Sequence, residues 1–554
     1  MEKITIGING KDRIEVEKGT FVYEIAKKIQ KYYKTEIVIA KSGNVLIELG
    51  SRIEKSMDID FIDLTNQDGI YVYSRSLSLV MVKAIKDLFG IETKISIEHS
   101  INGNLYCEVK GDNITVDNEF LNKVKKEMQM TIDRNMPIER IMLSSDDAME
   151  YASKYGMEDK ARLLRYRRVS YVNVYKLGDF YDYYYGYMLP FTGMLKIFDL
   201  ALYENGFLLR MPTAKNPYEP SSYDNFEKIS AVFMEQLRWC NLMGVKCIAD
   251  LNDVIADGKF ADLVRINEAL HEKKIAQIAD KITEKADKVK IVLIAGPSSS
   301  GKTSFAQRLC VQLSVNGIKP HAIGMDDYFI NRDQTPLGDD GRPDFENLNA
   351  LDLVKFNDDL NKLISGEEAL IPSYDFITGK RRAGGRKMRL HKGEIIVVEG
   401  IHGLNDELTK NIADENKFKI FVSPMTQLNV DAHKCISTSD SRLIRRIVRD
   451  YQFRGNSAAA TIESWHKVRQ GEEKNIFPYQ ENADIIFNSA TVYELSVLKA
   501  FIVPLLYKID KTMPEYITAN RLIKFMEYFL CAGTDAIPNN SLIKEFVGGS
   551  VFNV

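Results

Sequence analysis

No run of apolar residues in this chain approaches the length needed to cross a membrane. Nor does one sign of charge prevail: 74 Lys and Arg stand against 77 Asp and Glu, a formal net charge of -3, so no global basic field argues for bulk binding of nucleic acid. The six cysteines (Cys107, Cys240, Cys247, Cys310, Cys435 and Cys531) include no C-x-x-C pair. Cys240 and Cys247 could be drawn as half of a metal site, but no matching His/Cys pair lies nearby. Buried reduced thiols, and with them a cytoplasmic protein, are the expectation. Internal repeats and low-complexity segments are also missing. The N-terminus, Met1-Glu2-Lys3-Ile4-Thr5-Ile6, reads as a strand and not as a signal peptide. What is there is ordinary globular composition, 45% apolar and 27% charged, over 554 residues, long enough for three or four domains.

Against that background one stretch stands out. Gly296-Pro297-Ser298-Ser299-Ser300-Gly301-Lys302-Thr303 fits G-x-x-x-x-G-K-[ST]. An apolar β-branched run, 291–295, precedes it, and a helix-compatible run beginning at Ser304 follows. Strand, glycine-rich turn and helix are the context a P-loop requires. Such a turn aims backbone N–H groups at a polyphosphate, and the helix N-terminus adds partial positive charge. Lys302 is then expected at the β- and γ-phosphates, and the Thr303 hydroxyl on Mg²⁺.

From about 288 to 490 strands and helices alternate, the pattern of a parallel sheet covered on both faces. Catalytic candidates fall after strand C-terminal ends. Asp326, in Asp326-Asp327-Tyr328-Phe329, suits a base for an attacking hydroxyl or an organiser of Mg²⁺, and equally a helix cap or turn. Glu399 closes the buried-strand pattern 394–399, a Walker-B-like signal by which it would bind Mg²⁺ directly or through water. His402 either faces the site or is a satisfied loop histidine. Arg442, Arg446 and Arg449 fall on one face of a helix, opposite Leu443 and Ile447, with Asp440 or Ser441 as its cap. That stripe reads as a phosphate-closing lid, or as a solvated basic face or nucleic-acid patch.

The order of these motifs, with Pro372-Ser373-Tyr374-Asp375-Phe376 between the Asp326 and Glu399 segments, resembles the uridine kinase and phosphoribulokinase family of P-loop kinases. The resemblance covers about 200 residues. It implies ATP and Mg²⁺ as cofactors, bound by Gly296 to Ser304 and by Thr303 with Glu399. Asp326 would be the general base, Tyr374 and Phe376 would hold an acceptor base, Asp340 would meet a ribose hydroxyl, and Arg446 and Arg449 would bridge acceptor and phosphates. Two departures stand out. Where uridine kinases place a base-reading histidine the chain has Gly379, and where they place an arginine it has Asn456. Losing two hydrogen-bonding readers weakens strict pyrimidine selection.

The front of the chain carries another resemblance. Residues 1–64 alternate short strands with one helix, a β-grasp pattern with a hairpin at Asn9-Gly10 and a helix that Thr20 could cap. It is similar to the TGS domain of threonyl-tRNA synthetases. The likeness extends into an α+β region, 65–221, resembling the editing domain of those enzymes. There Arg75, Leu79, Tyr184 and Met188 stand where the family carries two histidines, a cysteine and a histidine. Leu and Met cannot activate a water or hold a hard metal, so shared fold is implied and editing chemistry is not. The tyrosine-rich run 180–187 reads either as strand residues packing a core or as a stacking surface for bases. A helical connector, 222–287, and a tail, 491–554, complete the division around the kinase domain, 288–490.

The expectation is a multidomain protein: β-grasp, α+β and α/β P-loop kinase with a parallel sheet. It would phosphorylate a nucleoside or polyol without a membrane partner, as a homo-oligomer. An RNA- or ribosome-linked regulator, using RNA contacts through the N-terminal half, is the alternative.

Overall fold

The computed structural model describes residues 2–10, 12–111, 114–223, 227–338, 341–375, 378–382, 384–426 and 428–552. Among these, no helix is long and apolar enough to cross a membrane.

The first unit is a mixed five-stranded sheet in the order Asp12–Glu17, Lys3–Ile8, Met57–Asp63, Ile37–Ser42, Val45–Ile47. The first hairpin turns at Asn9 and Gly10, both at positive φ (50° and 69°), the geometry a two-residue turn demands. Strand Lys3–Ile8 runs parallel to Met57–Asp63, and helix Val22–Ile29 covers the sheet through Val22, Ile25, Ala26 and Ile29. Thr20 does not cap that helix. Its hydroxyl donates to the Glu17 carbonyl (2.6 Å), and Phe21 stands at the cap with no side-chain bond.

The second unit is built around the 23-residue helix Gln67–Phe89, a four-stranded sheet and a three-stranded sheet. Its four substituted positions are filled core: Leu79 is 0% and Met188 2% exposed, and Tyr184 and Arg75 are buried. Arg75 Nε donates to the Tyr187 carbonyl (2.9 Å). Of the tyrosine-rich run only Phe180–Asp182 is strand. Tyr183 meets Tyr528 through their hydroxyls, and Tyr185 stacks on Phe525 (centroids 6.0 Å apart). These faces pack on the C-terminal tail and are not free to stack on bases.

The kinase sheet is five parallel strands in the order Lys319–Gly324, Glu394–Glu399, Ile291–Ala295, Lys417–Ser423, Ile485–Asn488. Ile291–Ala295 is buried throughout, as β-branched runs in covered parallel sheets are. Register sets the site: Glu399 pairs with Ile294 on one side and Gly324 on the other. Gly296, Asp326 and Glu399 therefore emerge on one edge, at strand C-terminal ends. The connector ends in helix Phe260–Thr283, which lies against helix Lys302–Val315; there Arg308 pairs with Glu272 at 2.7 Å. The tail helices Glu494–Leu506 and Tyr516–Met526 share one core with the second unit and the kinase domain.

Candidate active site

The loop after Ile291–Ala295 is a tight cradle. A Cβ at Gly296 would lie 2.0 Å from the Val422 carbonyl oxygen, so no larger residue fits. Ser299 and Gly301 sit at φ 58° and 82°, and for Ser299 that left-handed conformation is the kind of strain found at ligand sites. Among the described residues the N–H groups of Gly301, Lys302 and Thr303 have no hydrogen-bond acceptor; these are the orphan donors of a helix start, aimed out of the loop.

Lys302 Nζ donates to the carbonyls of Gly296 (2.9 Å) and Pro297 (3.2 Å), folded back across its own loop. Burial lowers its pKa against the opposing pull of Glu399, Glu545 and Asp326. Thr303 Oγ1 donates to Glu399 Oε1 (3.1 Å), while Glu399 Oε2 is buried with no partner among the described residues. Burial pushes the Glu399 carboxyl up to about 7, with Lys302 opposing and Glu545 and Asp326 adding to the rise. A half-buried hydroxyl–carboxylate pair with an oxygen left over fits a hard divalent cation such as Mg²⁺.

Asp326 lies in the single turn Met325–Tyr328. It reaches cleft solvent, yet protein surrounds the cleft, and this burial raises its carboxyl; Lys302 and Arg454 oppose the rise and Asp327 adds to it. Gly400 lets this turn approach the end of the Glu394–Glu399 strand, since a Cβ there would meet Met325 Cβ at 2.5 Å. His402 is buried, and among the described residues neither ring nitrogen has a partner. Burial holds its pKa down near 4.

Helix Thr438–Phe453 supplies the arginines. Its cap is Ser437, whose hydroxyl accepts from Asp440 N–H (3.3 Å); neither Asp440 nor Ser441 is the cap, and Asp440 instead pairs with Arg521. Arg442 and Arg445 are each 1% exposed. Arg442 pairs with Glu472, and its Nε donates to the Ser298 carbonyl (3.0 Å). Arg445 pairs with Glu494 (2.5 Å) and donates to the Ser489 carbonyl (2.9 Å). Arg442 thus ties this helix to the loop, and Arg445 ties it to the segment behind the loop, making the helix a wall of the site in this structure. Arg446 donates to Ser298 Oγ (2.5 Å), and Arg449 is held by Asp450 (2.7 Å).

On the acceptor side Tyr374 packs against Phe329 (centroids 5.6 Å apart) in a buried cluster. Asp340 and Phe376 lie outside the described residues. Gly379 is at φ 68°, and the space its Cβ would take is filled by the Arg332 guanidinium, with Nε at 2.7 Å. The residues that sequence reasoning missed are carboxylates: Glu472 accepts from Ser298 N–H (2.9 Å) and Glu545 from Ser304 N–H (3.2 Å). Glu346 is another, pushed up to about 7 by burial beside Glu472 and opposed by Arg446 and Lys302. No motif marks them, because each acts far from its position in sequence.

Residues 291–496 match the Phosphoribulokinase / Uridine kinase family. Among curated proteins the chain is 28% identical over 187 residues to the threonine–tRNA ligase of Syntrophotalea carbinolica and 30% identical over 188 residues to that of Halalkalibacterium halodurans. Each match covers 34% of this chain and only 29% of the ligase. Among solved structures, a possible uridine kinase from Bacillus stearothermophilus is 17% identical with a TM-score of 0.24, covering 38% of this chain and 97% of that one. A putative fructose transport system kinase from Silicibacter is 15% identical with a TM-score of 0.26, covering 38% and 98%. With its cradle, its strand-end carboxylates and its arginine wall, the C-terminal half holds a P-loop kinase domain of the phosphoribulokinase/uridine kinase family, joined to an N-terminal region similar to part of threonine–tRNA ligases.

Proposed function

We propose that the chain is an ATP- and Mg²⁺-dependent kinase that phosphorylates the 5′-hydroxyl of a nucleoside or a related polyol. The observation that carries the reading is the Thr303–Glu399 pair, 3.1 Å apart, beside the cradle and with one carboxylate oxygen that has no partner among the described residues. When bound there, Mg²⁺ supplies charge neutralisation of the phosphates. The loop amides of Gly301, Lys302 and Thr303 orient the polyphosphate. Lys302 leaves its loop carbonyls and places its ammonium on the β- and γ-oxygens. Asp326, in the turn after the edge strand Lys319–Gly324, accepts the proton of the attacking hydroxyl; burial makes it a stronger base than an ordinary aspartate. Arg446 and Arg449 neutralise charge on the transferring group. At Gly379 no imidazole can read a pyrimidine edge, and Arg332 stands in that space, which supports an acceptor chosen by its hydroxyls more than by its base.

The test is an ADP-release assay at saturating MgATP over nucleosides, deoxynucleosides and sugars. One or more nucleosides or polyols are expected to stimulate release. No stimulation by any acceptor, together with no nucleotide uptake by calorimetry, overturns the proposal.

A further inference from the structure

The last orphan donor of the P-loop helix is already taken. Helix Lys302–Val315 makes its first internal bond from Phe305 N–H to the Gly301 carbonyl (3.0 Å), so the Ser304 N–H is the last that must look outside the helix. It donates to Glu545 Oε2 (3.2 Å), and the Ser304 hydroxyl donates to the same oxygen (2.9 Å). Glu545 lies 241 residues away in sequence and is buried.

The residues around Glu545 hold it there. Leu542 lies over Gly301, 3.7 Å from where a Cβ would be. The Phe546 ring sits 5.0 Å from the guanidinium carbon of Arg445. Ser541 Oγ donates to Glu268 Oε1 (2.6 Å), which also accepts from the Tyr493 hydroxyl (2.6 Å). Beyond the short helix Lys544–Val547 the chain turns through Gly548 and Gly549, at φ 88° and 77°.

A carboxylate that accepts from the amide and hydroxyl of a P-loop residue makes the bonds a phosphate group of a nucleotide makes there. We infer that Glu545 is an internal phosphate mimic: the C-terminal tail occupies part of the nucleotide site, and a nucleoside di- or triphosphate binds by displacing the Glu545 carboxylate from Ser304. The inference rests on the nucleotide reading of the P-loop given above. It makes nucleotide uptake and tail docking competitive, so the measured affinity is the intrinsic affinity reduced by the fraction of chains in which Glu545 is docked.

The experiment is calorimetric titration of the full chain with MgADP, for the wild type, Glu545→Gln and Glu545→Ala, with thermal unfolding to confirm that each variant is folded. Removing the competing charge is expected to tighten ADP binding about tenfold, the worth of one charge-assisted hydrogen bond. A carboxylate with a purely structural role gives the opposite sign, since its loss can only loosen the loop. Equal or weaker ADP binding by folded Glu545→Gln overturns the inference while leaving the kinase reading in place. No ADP binding by any of the three chains overturns the nucleotide reading, and the inference with it. Should Glu545→Ala fail to fold, Glu545→Gln decides, because it preserves shape and removes only the charge.

Discussion

Replacing Glu399 by glutamine should make the empty protein more stable at alkaline pH while weakening its response to magnesium. The Glu399 carboxyl is held at about 7 in the folded chain against an ordinary 4.5. Between those values the folded state carries a proton that the unfolded state has released. Stability contributed by this group therefore falls as pH rises from 4.5 through 7, and is flat above. The gap of about 2.5 pH units corresponds to about 3 kcal/mol at 1.36 kcal/mol per unit, and we take about 2 kcal/mol as the part surviving cleft solvent. Denaturant unfolding of wild type and Glu399→Gln, each from pH 5 to 8.5 without metal, isolates the group, because other titrations cancel in the difference. Glu399→Gln should match the wild type near pH 5 and exceed it by about 2 kcal/mol above pH 7. Adding Mg²⁺ at pH 8 should stabilise the wild type and not the variant, since a cation can neutralise only a carboxylate that is there. Parallel pH profiles for the two chains would refute the reasoning, showing that Glu399 ionises freely and carries no stored desolvation cost.

Lys302→Ala should remove most turnover, measured as ADP release, with the fold retained by circular dichroism. Asp326→Asn should lower kcat by at least about a hundredfold; near-normal turnover would reject Asp326 as the base. Glu472→Ala leaves Arg442 buried without its carboxylate, keeping only the bond to the Ser298 carbonyl, and should cost about 3–5 kcal/mol in denaturant unfolding, with the Ser298 N–H gaining hydrogen exchange. A 288–554 fragment should be insoluble or molten by near-UV circular dichroism, since it strips partners from Asp431, His433 and Tyr528; a cooperative unfolding transition equal to that of the full chain would contradict this.

Much of the kinase half was legible because its chemistry is local. The P-loop is eight consecutive residues whose glycines and lysine act within one turn, and the strand–turn–helix context could be read from β-branching alone. Asp326 and Glu399 followed from a rule about strand ends that the parallel register obeys. Arg442 shows where reading stopped. Helical spacing placed it correctly on the face of Arg446, but burial against Glu472 makes it a structural post and not a phosphate ligand. Arg445, off that face, bonds the Ser489 carbonyl and Glu494. Spacing gives direction around a helix axis; it does not say which neighbour waits there. The same limit hid Glu545, and it left the tyrosine-rich run undecided until the tail supplied Tyr528 and Phe525 as its partners.

The N-terminal region is bolted to the kinase domain by charge in a place where charge is expensive. Lys160 and Asp182 from the second unit meet Asp431 and His433 from the kinase half, and all four are nearly inaccessible. His433 Nδ1 lies 2.7 Å from Asp182 Oδ2, and Lys160 also bonds Asp182. Burial alone would raise Asp182, but Lys160 and His433 together hold its carboxyl far below the usual range. Asp431 fares worse and is pushed up to about 6 by burial despite Lys160. An apolar plug of the same volume would serve stability as well or better. What the cluster adds is discrimination, since a docking displaced by one residue strands two or more of these charges without water or partner. Backbone bonds agree with that register: Ile97 N–H donates to the Ala432 carbonyl (2.7 Å), and Asn429 Nδ2 to the Ile97 carbonyl (3.1 Å). Asp440, on the arginine helix, pairs in turn with Arg521 of the tail, whose guanidinium lies over Tyr71 of the second unit. The front half thus helps fix the helix that walls the P-loop, and a substitution in the second unit that loosens Tyr71 reaches the phosphate cradle through two side chains.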